Sequence, residues 1–310
     1  MKRIQYDRYG GPELMQLVEY QLPAPGKGQI AVTVKAASIN PVDWKIRNGM
    51  MKFMTGKKFP RAMGMDFAGV VAAVGPAVAR LRVGDEVFGQ ARMKESGAFA
   101  PTLITDEKLV TVKPAGVAFE QAACLPTAAA TAWIGLVNKA RLRSGQRVFV
   151  NGCSGGVGQS AVQIARHMGA SVAGSCSAAA TARASSLGVD PALDYATLDL
   201  APLRGSFDVV YDTAGTMTLA QGRSLLKRGG VFLDINPSAG KIIPGLLSPA
   251  YKLVMGAATP AVLDELGRAA AAGTLHLDVG RTVAIDQAIA LIASLEKGQR
   301  IGGKGVIRFD

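Results

Sequence analysis

A glycine-rich stretch near the middle of the chain carries its clearest chemical signal. Residues 148–158 read VFVNGCSGGVG, an apolar run followed by small residues and then by a helical pattern. In a strand–loop–helix unit, the pattern G-x-G-x-x-G lets the backbone approach a pyrophosphate, and the helix directs free N–H groups at it. Cys153 stands where the first glycine is usual. The residues predicted to hold a dinucleotide are Ser154, Gly155, Gly156, Val157 and Gly158.

The strand after this loop lacks the carboxylate that NAD sites use. That Asp or Glu stands about 20 residues after the loop and binds the ribose 2′-hydroxyl. No Asp or Glu occurs between positions 151 and 190, and the strand ends in Ser175, Cys176 and Ser177, with Arg183 on the next helix. Hydroxyls and a guanidinium suit a 2′-phosphate, so we predict NADPH rather than NADH. A solvated position on an amphipathic helix is an equal alternative for Arg183.

Two different sequence patterns divide the chain into domains. Residues 1–117 show short alternating runs punctuated by Gly and Pro, such as QIAVTVK, which predict a barrel-like β domain. In residues 118–260, helical and strand patterns alternate, which indicates a Rossmann fold with a doubly wound parallel sheet. Residues 261–310 end in the strand KGVIRF, and we expect them to complete the β domain. The predicted fold class is therefore α/β, with two domains.

Composition and charge narrow the possible partners. The chain has 310 residues, 49% of them hydrophobic, and can bury a large core. Its net charge of +12 favours an anionic coenzyme over nucleic acid, because the basic residues are scattered and only Lys57, Lys58 and Arg61 cluster. The N-terminus lacks the apolar stretch of a secretory signal. The apolar segment 242–258 contains prolines and a lysine, so no transmembrane helix is predicted.

The cysteines and histidines give no metal signature. Cys124, Cys153 and Cys176 form an odd trio without a CxxC pair, which argues against a disulfide framework and a four-cysteine zinc lobe. A reducing cytoplasm is the predicted compartment. The two histidines, His167 and His276, lie on the Rossmann helix and in the late tail, where surface or packing roles are expected.

Further motifs occur in register along nearly the whole chain. They read SINPVDWKIRNG, GMDFAGVVAAVG, LRVGDEVFG, GAFAPTLIT, LPTAAATAW, SGGVG and GGKGVI. Together they resemble the medium-chain dehydrogenase/reductase superfamily. Their spacing is most similar to its zinc-independent quinone oxidoreductase branch, particularly the members that reduce the C=C bond of 2-alkenals and enones. The resemblance implies a GroES-like, partly open β-barrel domain beside the Rossmann domain, and a homodimer.

The positions that bind zinc in alcohol dehydrogenases of this superfamily differ here. Those enzymes use a Cys in the first motif and a His in the second. Asn40 stands at or near the Cys position, and Met65 replaces the His. A tetrahedral zinc needs three or four Cys, His or carboxylate ligands. The resemblance therefore implies chemistry without a metal.

The motif NPVDWK supplies the candidates for the reaction centre. Without a metal, hydrogen bonds must polarise the acceptor carbonyl while hydride reaches a conjugated β-carbon or a quinone ring. The resemblance places Asn40 and Lys45 at the substrate and nicotinamide cleft, to hold the carbonyl oxygen or the coenzyme ribose, and Asp43 as an organiser of that cleft. Tyr often occupies the position of Lys45 in this branch, so proton donation, ribose binding and a position at the rim stay open. Asn40 is also a suitable cap for a turn before Pro41.

The same resemblance implies further coenzyme contacts. Thr131 would face the coenzyme, Tyr195 would approach the adenosine phosphate, and the backbone at Asn236 and Pro237 would hold the carboxamide. Lys304 would close over the coenzyme, the alternative being a charged turn residue beside glycines.

The sequence thus predicts an NADPH-dependent, zinc-independent reductase of a quinone or of the C=C bond of an α,β-unsaturated carbonyl compound. Two other classes stay open: an NADPH-binding redox-responsive or structural protein without turnover and, less favoured, a zinc alcohol dehydrogenase with relocated ligands. The residues do not specify the substrate. Met50, Met51, Met54 and the region after Pro237 are candidates for an apolar pocket wall, with core packing as the alternative.

Overall fold

The computed structural model describes residues 1–237, 239–256 and 258–310. The chain divides into two compact units. The first, called the β unit below, comprises Met1–Thr127 together with the chain beyond Gly256. The second, the parallel-sheet unit, comprises Ala128–Gly256. The boundaries at 117/118 and 260/261 remain predictions from the sequence.

The N-terminal part of the β unit is made of short strands with two short α-helices. In chain order these are β1 (Lys2–Tyr6), β2 (Gln16–Glu19), β3 (Gln29–Ser38), α1 (Pro41–Arg47), α2 (Lys52–Thr55), β4 (Arg61–Ala62), β5 (Asp66–Val74), β6 (Glu86–Gln90), β7 (Thr102–Asp106) and β8 (Val110–Val112).

Helix α3 (Phe119–Trp133) leads into the parallel-sheet unit and continues as a π-helical turn, Ile134–Lys139. The elements that follow in that unit are β9 (Arg147–Asn151), α4 (Gly156–His167), β10 (Ser171–Cys176), α5 (Thr181–Ser186), β11 (Val189–Asp194), β12 (Phe207–Asp212), α6 (Leu219–Leu225), β13 (Leu226–Asp234), α7 (Ala239–Leu246) and β14 (Tyr251–Leu253). The closing elements are α8 (Pro260–Ala271), β15 (Val279–Val283), α9 (Ile285–Glu296) and β16 (Lys304–Arg308).

Strand β3 is the centre of the β unit. Its alternating sequence buries Ile30, Val32 and Val34 completely on one face. One edge of β3 pairs with β5, and the other edge is shared by β7 and the late strand β16. The resulting strand order is β15-β16-β3-β5-β6-β8, with β7 on β3, and a smaller sheet has the order β2-β1-β4. This open arrangement places the ends of β3, β5 and β16 beside α1.

The parallel-sheet unit has the doubly wound architecture that the sequence predicts. Its strands follow the order β11-β10-β9-β12-β13-β14, and every neighbouring pair is parallel. Phe149, Phe207 and Phe232 are fully buried in its core. Because all six strands run in one direction, their carboxyl ends lie at one edge, where such sheets bind ligands.

The sequence-based interpretation does not include helix α1 or strands β11 and β14. The PVDWKIR segment forms helix α1, whose seven residues are too few for a clear hydrophobic period. Strand β11 contains Pro191, and β14 has only three residues, so neither gives a strand pattern. Across the described residues, none of the helices combines the length and apolar character needed to cross a bilayer.

Candidate active site

The glycine loop begins with a tight turn at the end of β9. Gly152 has φ +82°, the left-handed conformation that glycine adopts without strain, so the tight turn lies one residue before Cys153. The N–H groups of Gly152 and Cys153 both donate to the Ser175 carbonyl at 2.9 Å, which ties the loop to β10. Helix α4 then starts after Gly155, whose position has no side-chain cap. The positive end of the α4 dipole is therefore open to an anion.

Two positions of this loop, Gly155 and Gly158, differ in what a Cβ atom would contact there. A Cβ on Gly158 would lie 2.1 Å from the Gly152 carbonyl oxygen, so α4 could not pack on the loop. A Cβ on Gly155 would come no closer than 3.4 Å to the protein, and Gly155 has an ordinary φ of −75° and is exposed. Protein packing thus explains Gly158 but not Gly155. The open space over Gly155 and the free helix N-terminus fit a pyrophosphate.

The thiol in this loop is electrically neutral. Burial, together with the adjacent Cys176 thiol, raises the pKa of Cys153 to about 12. A neutral thiol does not repel a phosphate, so Cys153 is a suitable small residue for the turn.

The residues at the end of β10 that are predicted to bind a 2′-phosphate differ in their exposure. Ser175 is fully buried and donates its hydroxyl to Asn151 Oδ1 at 2.7 Å, and the Cys176 side chain is buried beside Cys153. Ser177 keeps partly exposed surface. Of the three side chains, only that of Ser177 therefore has accessible surface beyond β10.

Arg183 and Tyr195 lie near the same strand end. Arg183 is half-buried on α5 and donates from Nη2 to Gln159 Oε1 on α4 at 3.0 Å. The Tyr195 N–H donates to the Cys176 carbonyl at 2.9 Å, and the Tyr195 ring is 53% exposed. The parallel-sheet unit thus gathers Ser177, Arg183 and Tyr195 around the end of β10.

A buried charge network that the sequence analysis missed occupies the carboxyl ends of β12 and β13. The ammonium of Lys241 lies 3.3 Å from Asp212 Oδ2 and 3.0 Å from Asp234 Oδ2, and both carboxylates are fully buried. Asn151 donates to Asp212 at 2.7 Å, and Tyr251 donates to Asp234 at 3.2 Å. One lysine on α7 therefore joins the ends of two strands of the sheet.

The predicted carboxamide segment lies beside this network. The Asn236 N–H donates to Asp234 Oδ1 at 2.9 Å, and Pro237 follows it at the surface of the unit. A Cβ on Gly215 would lie 2.7 Å from the Asn236 Cβ, so the two loops are in contact. Thr131 lies on α3, where its carbonyl accepts a hydrogen bond from the Tyr211 hydroxyl at 2.8 Å. Ser238, at the start of the region proposed as a pocket wall, lies outside the described residues.

The β unit contains a second buried polar cluster. Asn40 begins α1, and its N–H donates to Asp43 Oδ2 at 2.7 Å, so Asn40 is the cap before Pro41. The Asn40 side chain donates to Asp66 Oδ2 at 3.0 Å and accepts a short hydrogen bond from Lys304 Nζ. Lys304 also donates to the Ile39 carbonyl at 2.9 Å. Because Lys304 is buried and begins strand β16, the alternative of a charged turn residue beside glycines is wrong.

Asp66 joins this cluster to the middle of helix α3. It accepts hydrogen bonds from the Thr127 N–H at 2.8 Å and the Thr127 hydroxyl at 2.6 Å, and from Gln90 Nε2 at 3.4 Å. Burial raises the pKa of Asp66 to about 6, although the Thr127 hydrogen bond and the charge of Lys304 lower it. Burial, with the nearby charge of Asp66, raises the pKa of Asp43 to about 8, although the Asn40 N–H and Lys304 lower it.

Lys45 lies on α1, two residues beyond Asp43. It is half-buried, and desolvation lowers the pKa of its ammonium. A lowered lysine pKa makes proton transfer near neutral pH easier. The structure thus puts Asp43 and Lys45 on one helix, in its first and last turns, with Asn40 as its N-cap.

The zinc positions of the motifs are occupied by non-ligands. The Met65 sulfur is buried and lies 3.8 Å from the Ser96 hydroxyl. His167 is exposed, and His276 lies 3.4 Å from Asp278 at the surface. Within the described ranges, no group of three or more His, Cys, Asp and Glu side chains could hold a metal ion.

An uncapped helix over a glycine loop, at the carboxyl edge of a parallel sheet, defines a dinucleotide-binding oxidoreductase fold. Residues 26–134 match the alcohol dehydrogenase GroES-like domain family, and residues 156–245 match the zinc-binding dehydrogenase family. The chain belongs to the medium-chain dehydrogenase/reductase superfamily, as its motifs predict.

The chain is similar to reductases and quinone oxidoreductases of this superfamily, as three relatives show. The 2-methylene-furan-3-one reductase of Solanum lycopersicum is 34% identical over 99% of this chain and 79% of the relative. The chloroplastic NADPH-dependent alkenal/one oxidoreductase of Arabidopsis thaliana is 37% identical over 82% of this chain and 66% of the relative. The structure of a quinone oxidoreductase from Coxiella burnetii superposes with a TM-score of 0.91 at 29% identity, covering 100% of this chain and 99% of that one.

The two loop glycines give a paired test of the dinucleotide site. Gly155→Ala should change the free energy of unfolding by less than about 0.5 kcal/mol, because its Cβ meets no close protein atom. It should weaken dinucleotide binding at least tenfold, because that Cβ fills the space over the loop. Gly158→Ala should destabilise the fold by about 1–3 kcal/mol through overpacking. Urea unfolding and fluorescence titration measure both effects, and unchanged affinity in Gly155→Ala would refute the site.

The buried lysine of the parallel-sheet unit should be essential for stability. Lys241→Met leaves Asp212 and Asp234 facing each other without a cation, which should cost about 3–5 kcal/mol. Lys227→Met is the matched control, because its ion pair with Asp208 is partly exposed and should contribute about 0–1 kcal/mol. Equal urea midpoints for the two variants would contradict the role of Lys241.

The buried carboxyl of Asp43 should make stability fall as pH rises. Its pKa is about 8 in the folded chain and 3.8 in an exposed Asp, so the folded state binds the extra proton between these values. Stability due to this group is therefore lost from about pH 4 to pH 8. Between pH 6 and 8 the parent chain should lose at least about 1.4 kcal/mol more than Asp43→Asn, the equivalent of one pKa unit. Parallel unfolding curves across pH, with exposed Asp7→Asn as control, would disprove this.

Proposed function

We propose that the chain is an NADPH-dependent reductase that transfers hydride to a quinone or to the C=C bond of an α,β-unsaturated carbonyl compound. The observation that carries the proposal is the end of β10, where Ser177 and Arg183 stand in place of a carboxylate, next to a glycine loop with space for a pyrophosphate. The names of the relatives, an enone reductase, an NADPH-dependent alkenal/one oxidoreductase and a quinone oxidoreductase, support the same reaction class.

The parallel-sheet unit supplies the coenzyme-binding residues in this proposal. Ser154, Gly155, Gly156, Val157 and Gly158 would hold the pyrophosphate on the N-terminus of α4. Ser177, Arg183 and Tyr195 would surround the 2′-phosphate. The buried Ser175 and Cys176 would support these residues at the end of β10. Thr131, Asn236 and Pro237 would contact the nicotinamide end. From the β unit, Lys304 is a further proposed coenzyme contact. When bound, NADPH supplies the hydride.

The β unit supplies polar groups for the substrate oxygen. Lys304 donates two hydrogen bonds, to the Ile39 carbonyl and to Asn40 Oδ1, and the third N–H of its ammonium can stabilise developing negative charge. Asn40 holds that ammonium in place. With a pKa of about 8, the Asp43 carboxyl retains a proton at neutral pH. Lys45, whose pKa is lowered, is the proposed proton donor or ribose contact on the same helix. Asp43 and Lys45 thus both hold protons that an enolate can take.

We further propose that the reaction is zinc-independent and that the enzyme works as a cytoplasmic homodimer. The substitution of Asn40 and Met65 at the zinc positions supports the first point. None of Cys124, Cys153 and Cys176 forms a disulfide, which suits a reducing compartment. For the dimer, β14 is the edge strand of the sheet within the described residues, and Ile243 and Leu247 beside it are 73% and 86% exposed. An open edge with exposed apolar side chains is a surface that a second subunit can cover.

The decisive experiment follows coenzyme oxidation with 2-alkenals, enones, quinones and simple aldehydes as acceptors. NADPH should be oxidised much faster than NADH, the product should be the saturated carbonyl or the hydroquinone, and a chelator should leave the rate unchanged. Binding of NADPH without oxidation by any acceptor would instead identify a non-catalytic binding protein. A requirement for stoichiometric zinc would identify an alcohol dehydrogenase.

Variants connect this experiment to the residues. Arg183→Ala should weaken NADPH binding by about 10–100-fold and hardly affect NADH, because a charge-assisted hydrogen bond contributes about 1.5–3 kcal/mol. Arg166→Ala on the exposed face of α4 is the matched control. Lys45→Ala should lower the turnover rate, and an unchanged rate with every acceptor would remove Lys45 from the mechanism.

A further inference from the structure

The segment of residues 50–58, called the tip below, exposes apolar side chains that a folded chain normally buries. Phe53 is 94% exposed, and Met50 and Met54 are 65% and 45% exposed. All three lie within five consecutive positions around the short helix α2. Isolated exposed apolar residues are common, but such a group with a nearly fully exposed Phe indicates an interaction surface.

The apolar side chains of the tip are interleaved with positive charge. Lys52, Lys57 and Lys58 are exposed among them. No acidic residue occurs between Asp43 and Asp66. The basic residues in that interval are Lys45, Arg47, Lys52, Lys57, Lys58 and Arg61. The tip therefore presents an apolar centre with a cationic border and no compensating carboxylate of its own.

The base of the tip is held in one conformation by a buried arginine. Arg61 is 3% exposed, and its Nη2 donates to the carbonyls of Thr55, Gly56 and Lys58 at 2.7, 3.2 and 3.4 Å. The Tyr9 hydroxyl bonds to the Thr55 hydroxyl at 3.0 Å and to the Gly56 carbonyl. Because the backbone is already ordered, exposing Phe53 does not result from a loose loop, and binding would require little further ordering.

We propose that the tip docks on an anionic membrane surface, with Phe53, Met50 and Met54 entering the interfacial region and the three lysines contacting lipid phosphates. Aromatic and apolar side chains next to lysines are the composition that interfacial segments use. A second copy of the chain fits poorly, because a self-complementary contact would bring the lysines of both copies together. A single-stranded nucleic acid fits less well, because two of the three apolar side chains are methionines and cannot stack as aromatic rings do.

The test is sedimentation of the full chain with vesicles of phosphatidylcholine alone and of phosphatidylcholine mixed equally with phosphatidylglycerol. Binding is expected only to the mixed vesicles and should decrease with salt. Lys57→Ala with Lys58→Ala should weaken it about 25-fold, since each lysine near an anionic surface contributes about fivefold. Phe53→Ser should weaken it about tenfold or more, through loss of apolar burial. The matched controls are Lys27→Ala with Lys297→Ala, and Val83→Ser, which change exposed residues elsewhere in the β unit.

Insertion can be measured separately from charge attraction. The tryptophan fluorescence of the Phe53→Trp variant should be quenched by lipids that are brominated on their acyl chains. The fluorescence of the Val83→Trp variant should not be quenched. The proposal is overturned if the parent chain ignores the mixed vesicles, if Phe53→Ser binds them as the parent does, or if Phe53→Trp is not quenched. A change of oligomeric state in Phe53→Ser, or tight binding to a single-stranded oligonucleotide without vesicle binding, would assign the tip to a different partner. Vesicle binding is measured without coenzyme or acceptor, so these outcomes are independent of the reductase assay.

Discussion

The close approach between Gly158 and the Gly152 carbonyl determines the geometry of the parallel-sheet unit. With no Cβ at Gly158, helix α4 can start directly on the turn that leaves β9, and its axis points at the carboxyl edge of the sheet. The turn itself is fastened to β10 by two N–H groups that share the Ser175 carbonyl. The direction of the α4 dipole depends on this contact, and Ser177 lies two residues beyond the Ser175 carbonyl that holds the turn. The anion-binding character of the unit is therefore a consequence of backbone packing more than of any charged side chain.

In both units, a buried lysine forms hydrogen bonds that stabilise charged groups in the interior. In the parallel-sheet unit, Lys241 joins Asp212 and Asp234, and in the β unit Lys304 bonds to Asn40, which in turn bonds to Asp66. Burying an ion without a partner costs several kcal/mol, so such groups are retained only where hydrogen bonds satisfy them. The two lysines differ in their neighbours. Lys241 contacts carboxylates directly and stabilises structure, whereas Lys304 contacts an amide, which leaves Asp43 and Asp66 with raised pKa values and a capacity to hold protons.

Local patterns predicted much of this molecule, and long-range contacts could not be predicted. The glycine loop, the alternation in β3 and the missing carboxylate after β10 are visible in short stretches, because their signals are the small size, polarity or spacing of neighbouring residues. Lys304 and Asn40 are 264 positions apart, and Thr127 and Asp66 are 61 positions apart. Nothing in one sequence indicates that such residues meet, since the pairing of β16 with β3 brings Lys304 to α1. Asp66 was read only as part of a motif, and its partners appear once the fold is known.

The positive charge of the chain illustrates how position changes the meaning of composition. A net charge of +12 first suggested an anionic coenzyme, with Lys57, Lys58 and Arg61 as a minor cluster. In the structure these three residues have separate roles. Arg61 is buried, where it binds three backbone carbonyls and lies 5.6 Å from the Phe59 ring and 5.8 Å from the Tyr9 ring. The charge of Arg61 therefore orders the backbone of the tip and does not attract an anion at the surface. Lys57 and Lys58 stay exposed on the segment that Arg61 orders, so the buried charge determines where the exposed ones are presented.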